Sequence, residues 1–461
     1  GRRAPKDTEL EGSEWTAAMT DSDHTSFHSL LCAEVRRSKT LWNAWMAVRP
    51  RALRSENAQT RAAVRKIDTN PQGTLRSIQE RLRKQSFEFA PQRGVAKKRK
   101  NKTPRPIVVA PVVNRIVQRA ILDTLQSENP RIKGMLGAIP EFLHSPTSVG
   151  GLPGKGSADA VRLICSAMQA GGAHFVRSDI KDFFTKVPTA KLVSWVESET
   201  GDKQFAGLLN KALVVELENA ADPQVSKWLH LFPDGTVGVP QGSSLSAFCA
   251  NVTLAEFDRV LNSEGLVTVR YIDDFVIIGH SEAEVKQGWE KGQRILSALQ
   301  LEAWEPTPGG EKASLGETKK GFDFLSFRFS LDNVGLSRAA KQKFIDSVKA
   351  TIKEGTDDIQ TSLRASRRAE PRFVQTLALL DDKIRGWGDS FQHITLRLEF
   401  HQLDAQVAEH LRRFISWYSN ITRSLDEKNK QRALGVALLS DTPKPISKTQ
   451  GVDPTRGTPK A

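Results

Sequence analysis

Cysteine, tyrosine and long apolar stretches are all scarce in this chain. Its 461 residues include 3 cysteines and 2 tyrosines. Cys32, Cys165 and Cys249 are odd in number and far apart, which argues against a disulfide framework or a zinc knuckle and fits a reducing cytoplasm. Apolar runs are too short to span a membrane, and the polar start, Gly1 to Trp15, has no signal-peptide core. We therefore expect a cytoplasmic protein that does not act at a membrane.

Positive charge is abundant instead. The formal net charge is +14 and the pI is about 9.7, which indicates a polyanionic partner, most simply a nucleic acid. A generically basic soluble protein is the alternative. With 39% hydrophobic and 26% charged residues, the chain is long enough to bury a large core and to form several subdomains.

Two adjacent carboxylates, Asp273 and Asp274, lie between the apolar runs 267–269 and 275–278. This pattern predicts a β-hairpin with the acidic pair at its turn. Neighbouring carboxylates repel each other, and a divalent cation removes that cost. A solvated acidic turn is the alternative.

A second acidic position follows the strand predicted over residues 174–178, which ends at Asp179. If Asp179 lies next to the hairpin, three carboxylates are available to hold two magnesium ions. Two metals of this kind serve in-line phosphoryl transfer, which depends mainly on positioning and charge neutralisation. The pattern therefore favours phosphoryl-transfer chemistry.

Residues 238–246 form a Gly/Ser-rich loop before a predicted helix. Gly242 allows the backbone to approach a ligand closely, and Gln241 can hydrogen-bond a sugar or a base. The helix start offers unpaired N–H groups. A plain loop before a core helix is the alternative.

Taken together, these segments resemble a known family. Segments 179–184, 240–246 and 271–274 are similar to palm motifs A, B and C of reverse transcriptases. Four more segments resemble parts of group II intron-type and other bacterial reverse transcriptases. Residues 105–120 resemble the fingers segment, 151–160 the glycine-containing segment, 321–327 the primer-grip segment and 384–391 the thumb segment. The resemblance implies an α+β right-hand polymerase fold, with an antiparallel palm sheet that carries the acidic hairpin.

The resemblance also implies a division of the chain into domains. We expect an N-terminal helical extension over residues 1–70, fingers over 71–172, palm over 173–335, a helical thumb over 336–435 and a disordered tail over 436–461.

Residue roles follow from the same resemblance. The catalytic metal ligands for two Mg²⁺ ions would be Asp179, Asp273 and Asp274, with the backbone carbonyl of Ile180. Nucleotide-binding residues would be Lys102, Arg105, Phe184, Gln241 and Tyr271. Nucleic-acid-binding residues would be Lys97, Lys98, Arg99, Lys100 and Arg115.

Some of these roles have alternatives. Phe184 falls where the family places the aromatic side chain that excludes a ribose 2′-hydroxyl, although it could be a core aromatic beside Phe183. The basic run 97–100 could be a solvated loop. Lys312 would be the proton donor to pyrophosphate. Asp182 is either a further metal ligand or an outward-facing turn residue.

The chain most resembles the stand-alone "unknown group" of bacterial reverse transcriptases that are linked to anti-phage defence. This likeness implies an RNA-directed DNA polymerase with a non-coding RNA as template or scaffold, a DNA product, deoxynucleoside triphosphate substrates and a possible homo-oligomeric state. No Cys/His cluster follows the predicted thumb, so we do not expect a homing endonuclease.

Two other functions stay open. One is an RNA-binding maturase or scaffold protein in which polymerisation is secondary. The other is a template-independent, protein-primed DNA polymerase, for which Tyr271 and Tyr418 are the only available tyrosines.

Overall fold

The computed structural model describes residues 29–99, 102–233, 237–263, 265–331, 333–365 and 373–441. The polar N-terminal start and nearly all of the predicted disordered tail lie outside these residues. Within the predicted tail, Leu439–Asp441 forms a 3₁₀ helix, so its first residues are not without structure. The chain divides into two compact units, the first made of Gly1–Pro140 and Thr189–Leu245, the second of Glu141–Pro188 and Ser246–Ala461.

Helices and strands are numbered in chain order. The helices are α1 (Leu30–Val35), α2 (Ser38–Leu53), α3 (Ala58–Thr69), α4 (Pro71–Arg83), α5 (Val112–Leu125), α6 (Pro130–Lys133), α7 (Ile139–Leu143), α8 (Ser157–Gln169), α9 (Phe183–Lys186), α10 (Thr189–Thr200), α11 (Lys203–Leu213), α12 (Pro223–Ser226), α13 (Ser246–Thr253), α14 (Ala255–Leu261), α15 (Glu282–Ala298), α16 (Arg338–Ala365), α17 (Phe373–Ser390), α18 (Leu398–Thr422) and α19 (Glu427–Leu434). The strands are β1 (Arg93–Arg99), β2 (Lys102–Val109), β3 (His174–Asp179), β4 (Val267–Tyr271), β5 (Asp274–Gly279), β6 (Thr307–Pro308), β7 (Ser314–Glu317), β8 (Phe322–Phe324), β9 (Phe327–Ser330) and β10 (Asn333–Leu336).

The first unit is mainly helical and carries one antiparallel hairpin, β1–β2. The first two helices, α1 and α2, are separate because the chain turns at Arg36 and Arg37. Ser29 caps α1 by accepting a hydrogen bond from the backbone N–H of Cys32, which is the usual role of a serine at this position.

Strand β1 contains most of the basic run that sequence reasoning left as a possible loop. A row of exposed charged side chains hides the alternation by which strands are recognised. The run 97–99 is therefore paired strand rather than loop, while Lys100 lies outside the described residues.

The second unit is built on a five-stranded sheet in the order β4-β5-β3-β7-β6. All neighbouring strands are antiparallel except β6 and β7, which are parallel. Strand β5 is buried at every residue after Asp274, as expected for a strand covered on both faces, and β3 is buried at Phe175, Val176 and Ser178. This sheet positions the acidic hairpin.

A second, three-stranded sheet follows in the order β10-β9-β8. Leu325 and Ser326 form the turn between β8 and β9 with positive φ angles of 49° and 74°, the backbone that a two-residue hairpin requires. Phe322 and Phe329 stack on each other, and this sheet shares a hydrophobic core with helices α8, α16, α17 and α18.

The C-terminal part of the second unit is mainly helical and contains α16 to α19. Val407 and Phe414 are buried on α18, whereas Ile415 is 47% exposed. Ile415 lies off the buried face of α18, because consecutive helical residues are about 100° apart. Tyr418 stacks on Phe373 with ring centroids 4.0 Å apart, in agreement with a core position.

Candidate active site

The acidic hairpin forms as predicted. Strand β4 ends at Tyr271, Ile272 and Asp273 make the turn, and Asp274 begins β5. In the antiparallel register of β3 and β5, Asp179 lies directly opposite Asp274. The backbone N–H of Ile180 donates to the carbonyl of Asp273 at 3.2 Å. The structure therefore brings all three predicted carboxylates to one end of the sheet.

Burial and electrostatic repulsion both act on the carboxylates of this cluster. Burial, followed by the negative charges of Asp273 and Asp179, raises the pKa of the Asp274 carboxyl to about 7, against the opposing influence of Lys312 and Arg177. A shift of this kind is typical of functional sites. At neutral pH, Asp274 is poised between its protonated and ionised forms.

This raised pKa predicts a pH-dependent stability difference in metal-free protein. Between the ordinary value of 3.8 and about 7, the folded state keeps a proton that the unfolded chain releases. The contribution of Asp274 to stability is therefore present below about pH 4 and is lost as the pH rises through 7. We expect D274N to raise the Tm relative to wild type in EDTA, by more at about pH 8 than at about pH 5.5. Equal differences at both pH values would refute the raised pKa.

Asp179 has a cationic neighbour, Lys312. The Nζ atom of Lys312 lies 3.2 Å from Oδ2 of Asp179. It also lies 5.9 Å from the ring centroid of Trp304, with Lys181 on the same ring at 4.9 Å. Since cations are attracted to the electron-rich face of an indole, Trp304 helps to place Lys312 beside the cluster.

Trp304 is itself fixed to the strand that carries Asp179. Its backbone N–H donates to the carbonyl of Asp179 at 3.1 Å, and its own carbonyl accepts from the hydroxyl of Ser178 at 2.6 Å. Sequence reasoning missed this residue, because only the fold brings residues 302–304 alongside 179–181.

The loop before Lys312 is held from the other side. The guanidinium of Arg177 donates to the carbonyls of Gly310 and Glu311 at 2.9 and 3.1 Å. Arg177 and Asp179 are two residues apart on β3, so their side chains lie on the same face. Arg177, like Trp304, is a site residue that sequence reasoning missed.

The donors of the cluster suit a magnesium ion, which prefers carboxylate oxygens. Burial and the repulsion from Asp273 and Asp179 together raise the pKa of Asp274, and a divalent cation would remove the repulsion. Within the described residues, however, no three His, Cys, Asp or Glu side chains are arranged as a ready metal site. Asp179 is paired with Lys312 instead. The three carboxylates therefore suit the metal chemically, but they would have to move closer together to bind it.

Three other predicted residues lie in the same unit. Phe184 is partly buried on α9, with its ring 5.8 Å from that of Phe183. Tyr271 packs against the hydrophobic core beneath the sheet. Asp182 is exposed and has a left-handed backbone, with φ of 50°, in agreement with an outward-facing turn residue.

The predicted cationic residues lie in the first unit, on the β1–β2 hairpin. Lys97 lies opposite Arg105, and Arg99 lies opposite Lys102. Lys97, Lys98, Arg99 and Arg105 are all exposed. Like charges directly opposite each other on a hairpin are destabilising, and a bound polyanion would offset that cost.

Gln241 and Arg115 also belong to the first unit. The carbonyl of Gln241 accepts from the backbone N–H of Val108 at 3.2 Å, and Gly242 has φ of 119°, which favours glycine. Nε of Arg115 donates to the carbonyl of Ala110 at 2.7 Å. Arg115 is therefore partly engaged in holding its own helix start.

Comparison with known proteins identifies the family. The model described as "Reverse transcriptase (RNA-dependent DNA polymerase)" matches residues 95–329, more than half of the chain. The chain belongs to the reverse transcriptase family. Membership confirms the predicted family and α+β polymerase fold, and the family is that of RNA-directed DNA polymerases, which are nucleotidyltransferases. Enzymes of this class generally use divalent metal ions.

The individual relatives are distant. The "Uncharacterized 91 kDa protein in cob intron" of Schizosaccharomyces pombe is 27% identical over 186 residues, which is 40% of this chain and 20% of that protein. The chain thus spans about a fifth of the length of this curated relative.

Solved structures described as "Partial Cas6-RT-Cas1--Cas2 complex" and "Cas6-RT-Cas1--Cas2 complex" are each 20% identical with a TM-score of 0.33. Each covers 59% of this chain, and the matched regions make up 43% and 27% of those chains. So low a TM-score supports no conclusion about partners.

Within the described residues, no helix is both long and apolar enough to cross a membrane.

Proposed function

We propose that this reverse transcriptase copies a non-coding RNA into DNA from deoxynucleoside triphosphates. The observation that carries the proposal is the register of β3 and β5, which sets Asp179 opposite Asp274 and next to Asp273. Carboxylates on adjacent strand ends are the donor set that nucleotidyl transfer requires.

Asp179, Asp273 and Asp274, with the backbone carbonyl of Ile180, would hold two Mg²⁺ ions. When bound, these ions activate the primer 3′-hydroxyl and neutralise the triphosphate and its leaving group. Asp273 lies in the turn and Asp274 on the strand, and the family resemblance assigns the closer metal contact to Asp273. The remaining steps fall to this chain's own side chains.

Lys312 is the proposed proton donor to the departing pyrophosphate. Its contact with Asp179 keeps the ammonium beside the carboxylate cluster. Arg177 holds the preceding loop, and Trp304 provides an aromatic face. A held ammonium can deliver a proton where negative charge develops on the leaving group.

We expect K312A to lower kcat by about 100-fold, because general acid catalysis contributes about 10²- to 10⁴-fold. KM for the deoxynucleotide should change little. Steady-state incorporation of a single nucleotide measures both quantities. K319A is a matched control, because Lys319 is an exposed lysine of the same unit that pairs with Glu317. Equal losses in the two variants would contradict the assignment.

Nucleotide selection is assigned to Phe184, Gln241 and Tyr271. Phe184 would exclude a ribose 2′-hydroxyl, Gln241 would contact the incoming nucleotide, and Tyr271 would pack against the primer end. Lys102 and Arg105 would grip the triphosphate. The nearby cations Lys97, Lys98, Arg99, Lys100 and Arg115 would contact nucleic acid phosphates.

The paired like charges of β1 and β2 support this phosphate-binding role. The proposed fingers, palm and thumb occupy residues 71–172, 173–335 and 336–435, after a helical extension over residues 1–70. The overall net charge of +14 suits a chain that follows a polyanionic duplex.

We also propose that the enzyme acts in anti-phage defence with its own non-coding RNA. RNA and DNA that co-purify with the protein should be sequenced, and the purified complex supplied with Mg²⁺ and deoxynucleotides. We expect a DNA complementary to one co-purified RNA. No DNA from wild type, or equal DNA from D273N, would contradict the function.

An RNA-binding maturase or scaffold is the second candidate, favoured by the exposed cations of β1 and β2. It predicts that D273N keeps full biological activity. Template-independent, protein-primed synthesis would give a product of random or homopolymeric sequence. Tyr418 is a weak candidate for the primer hydroxyl, because its ring stacks on Phe373 within the helical region.

A further inference from the structure

The turn that carries Asp273 has an unusual backbone. Ile272 has φ of 62°, the left-handed region that branched side chains rarely adopt. Among the other described non-glycine residues, positive φ angles occur at Gln85, Asp182, Gln300, Leu325 and Ser326, and none of those side chains is β-branched. The surrounding structure must therefore hold Ile272 in place.

Arg270 is the side chain that does so. It is fully buried, with 0% of its surface exposed, and Asp258 is 5% exposed. Nε of Arg270 donates to Oδ1 of Asp258 at 2.7 Å, and Nη2 donates to Oδ2. Nη1 donates to the carbonyl of Ile272 at 2.8 Å. One guanidinium thus joins helix α14 to the turn.

The segment over residues 147–150 supports the turn from another side. The backbone of Arg270 pairs with this segment, donating to Thr147 at 3.0 Å and accepting from Val149 at 2.9 Å. At Gly150, a Cβ atom would lie 2.7 Å from the backbone nitrogen of Ile272. Asn251 fixes the segment by donating to the carbonyl of Gly150 at 2.9 Å.

We propose that Asp258 and Arg270 are a positioning pair for the metal-binding hairpin. They hold Ile272 in its left-handed conformation, and so set where Asp273 lies relative to Asp179. The pair touches neither substrate nor metal. The inference rests on the proposed function, because it takes Asp273 to be a metal ligand.

A purely structural role for the pair makes a different prediction. A buried ion pair that only fills space can often be replaced by apolar residues of similar volume without loss of stability. An apolar pair cannot donate to the carbonyl of Ile272. The double variant D258L/R270M therefore separates stability from positioning.

Two measurements on the metal-free full-length protein make the test. Mn²⁺ binding is titrated by electron paramagnetic resonance, and amide hydrogen exchange is followed at Ile180, whose N–H bonds to the carbonyl of Asp273. We expect D258L/R270M to keep the wild-type Tm within a few degrees. We also expect it to bind Mn²⁺ about 10- to 100-fold more weakly, the usual cost of losing an outer-shell partner, and to lose protection at Ile180.

Two more variants complete the design. R270K keeps the positive charge but loses the forked arrangement of guanidinium donors. It should therefore bind Mn²⁺ almost as weakly as D258L/R270M. R49M/D68L removes a bidentate arginine–aspartate pair from the first unit and should leave Mn²⁺ binding unchanged.

The outcomes separate the two claims. Wild-type Mn²⁺ affinity and Ile180 protection in a folded D258L/R270M would overturn the positioning role and leave the polymerase site standing. If D258L/R270M does not fold, the result is read from R270K, where unchanged binding and protection would also overturn it. Absence of Mn²⁺ binding in wild type would overturn both the metal site and the positioning that serves it.

Discussion

D273N should abolish nucleotide incorporation while the protein still folds and binds RNA. Asp273 lies in the turn of the hairpin, next to the pair formed by Asp179 and Asp274. Loss of a metal ligand removes several kcal/mol of transition-state stabilisation, and each 1.4 kcal/mol or so is tenfold in rate. We therefore expect a fall in kcat of about 1,000-fold or more, measured by single-turnover primer extension.

D274N is the matched control for this prediction. It also removes one negative charge from the cluster, but from the strand position whose pKa is raised to about 7. We expect a smaller loss of rate in D274N than in D273N. RNA binding should be unchanged in both variants, because neither residue is a phosphate-binding cation. A D273N variant with near wild-type incorporation would refute the role of the cluster.

F184A should relax the discrimination between deoxynucleotides and ribonucleotides. The aromatic ring of Phe184 is partly buried beside Phe183, five positions after Asp179. Its removal makes room for a 2′-hydroxyl. A pocket that rejects a ligand by size discriminates by about 10- to 200-fold, so the ratio of kcat/KM values for the two nucleotides should fall by about that factor.

F184Y is the control that keeps the bulk of the ring. It should retain the wild-type ratio, because the excluded volume is preserved. Incorporation of matched deoxynucleotide and ribonucleotide on one primer and template measures the ratio directly. An unchanged ratio in an active F184A would assign Phe184 to the core instead.

The hairpin at residues 267–278 could be predicted from sequence because its signal is local. Two short apolar runs flank the acidic pair, and the turn chemistry depends on adjacent residues. Its pairing with β3 could not be derived in that way. The register that sets Asp179 opposite Asp274 joins segments far apart in the chain, and only the resemblance to a family suggested it.

Residues that act through the fold escaped prediction altogether. Trp304 lies alongside Asp179 through backbone pairing that leaves no motif. Asp258 reads as an ordinary helical carboxylate until α14 brings it to the buried Arg270. Strand β1 was missed because its exposed cations mask the period of a strand.

Primer extension on a defined RNA template of mixed sequence tests the central claim most directly. The assay contains purified protein, Mg²⁺ and all four deoxynucleotides, and its products are sequenced. We predict DNA complementary to the template from wild type and none from D273N. A product unrelated to the template, or no product from wild type while D273N keeps full biological activity, would contradict RNA-directed DNA synthesis at this site.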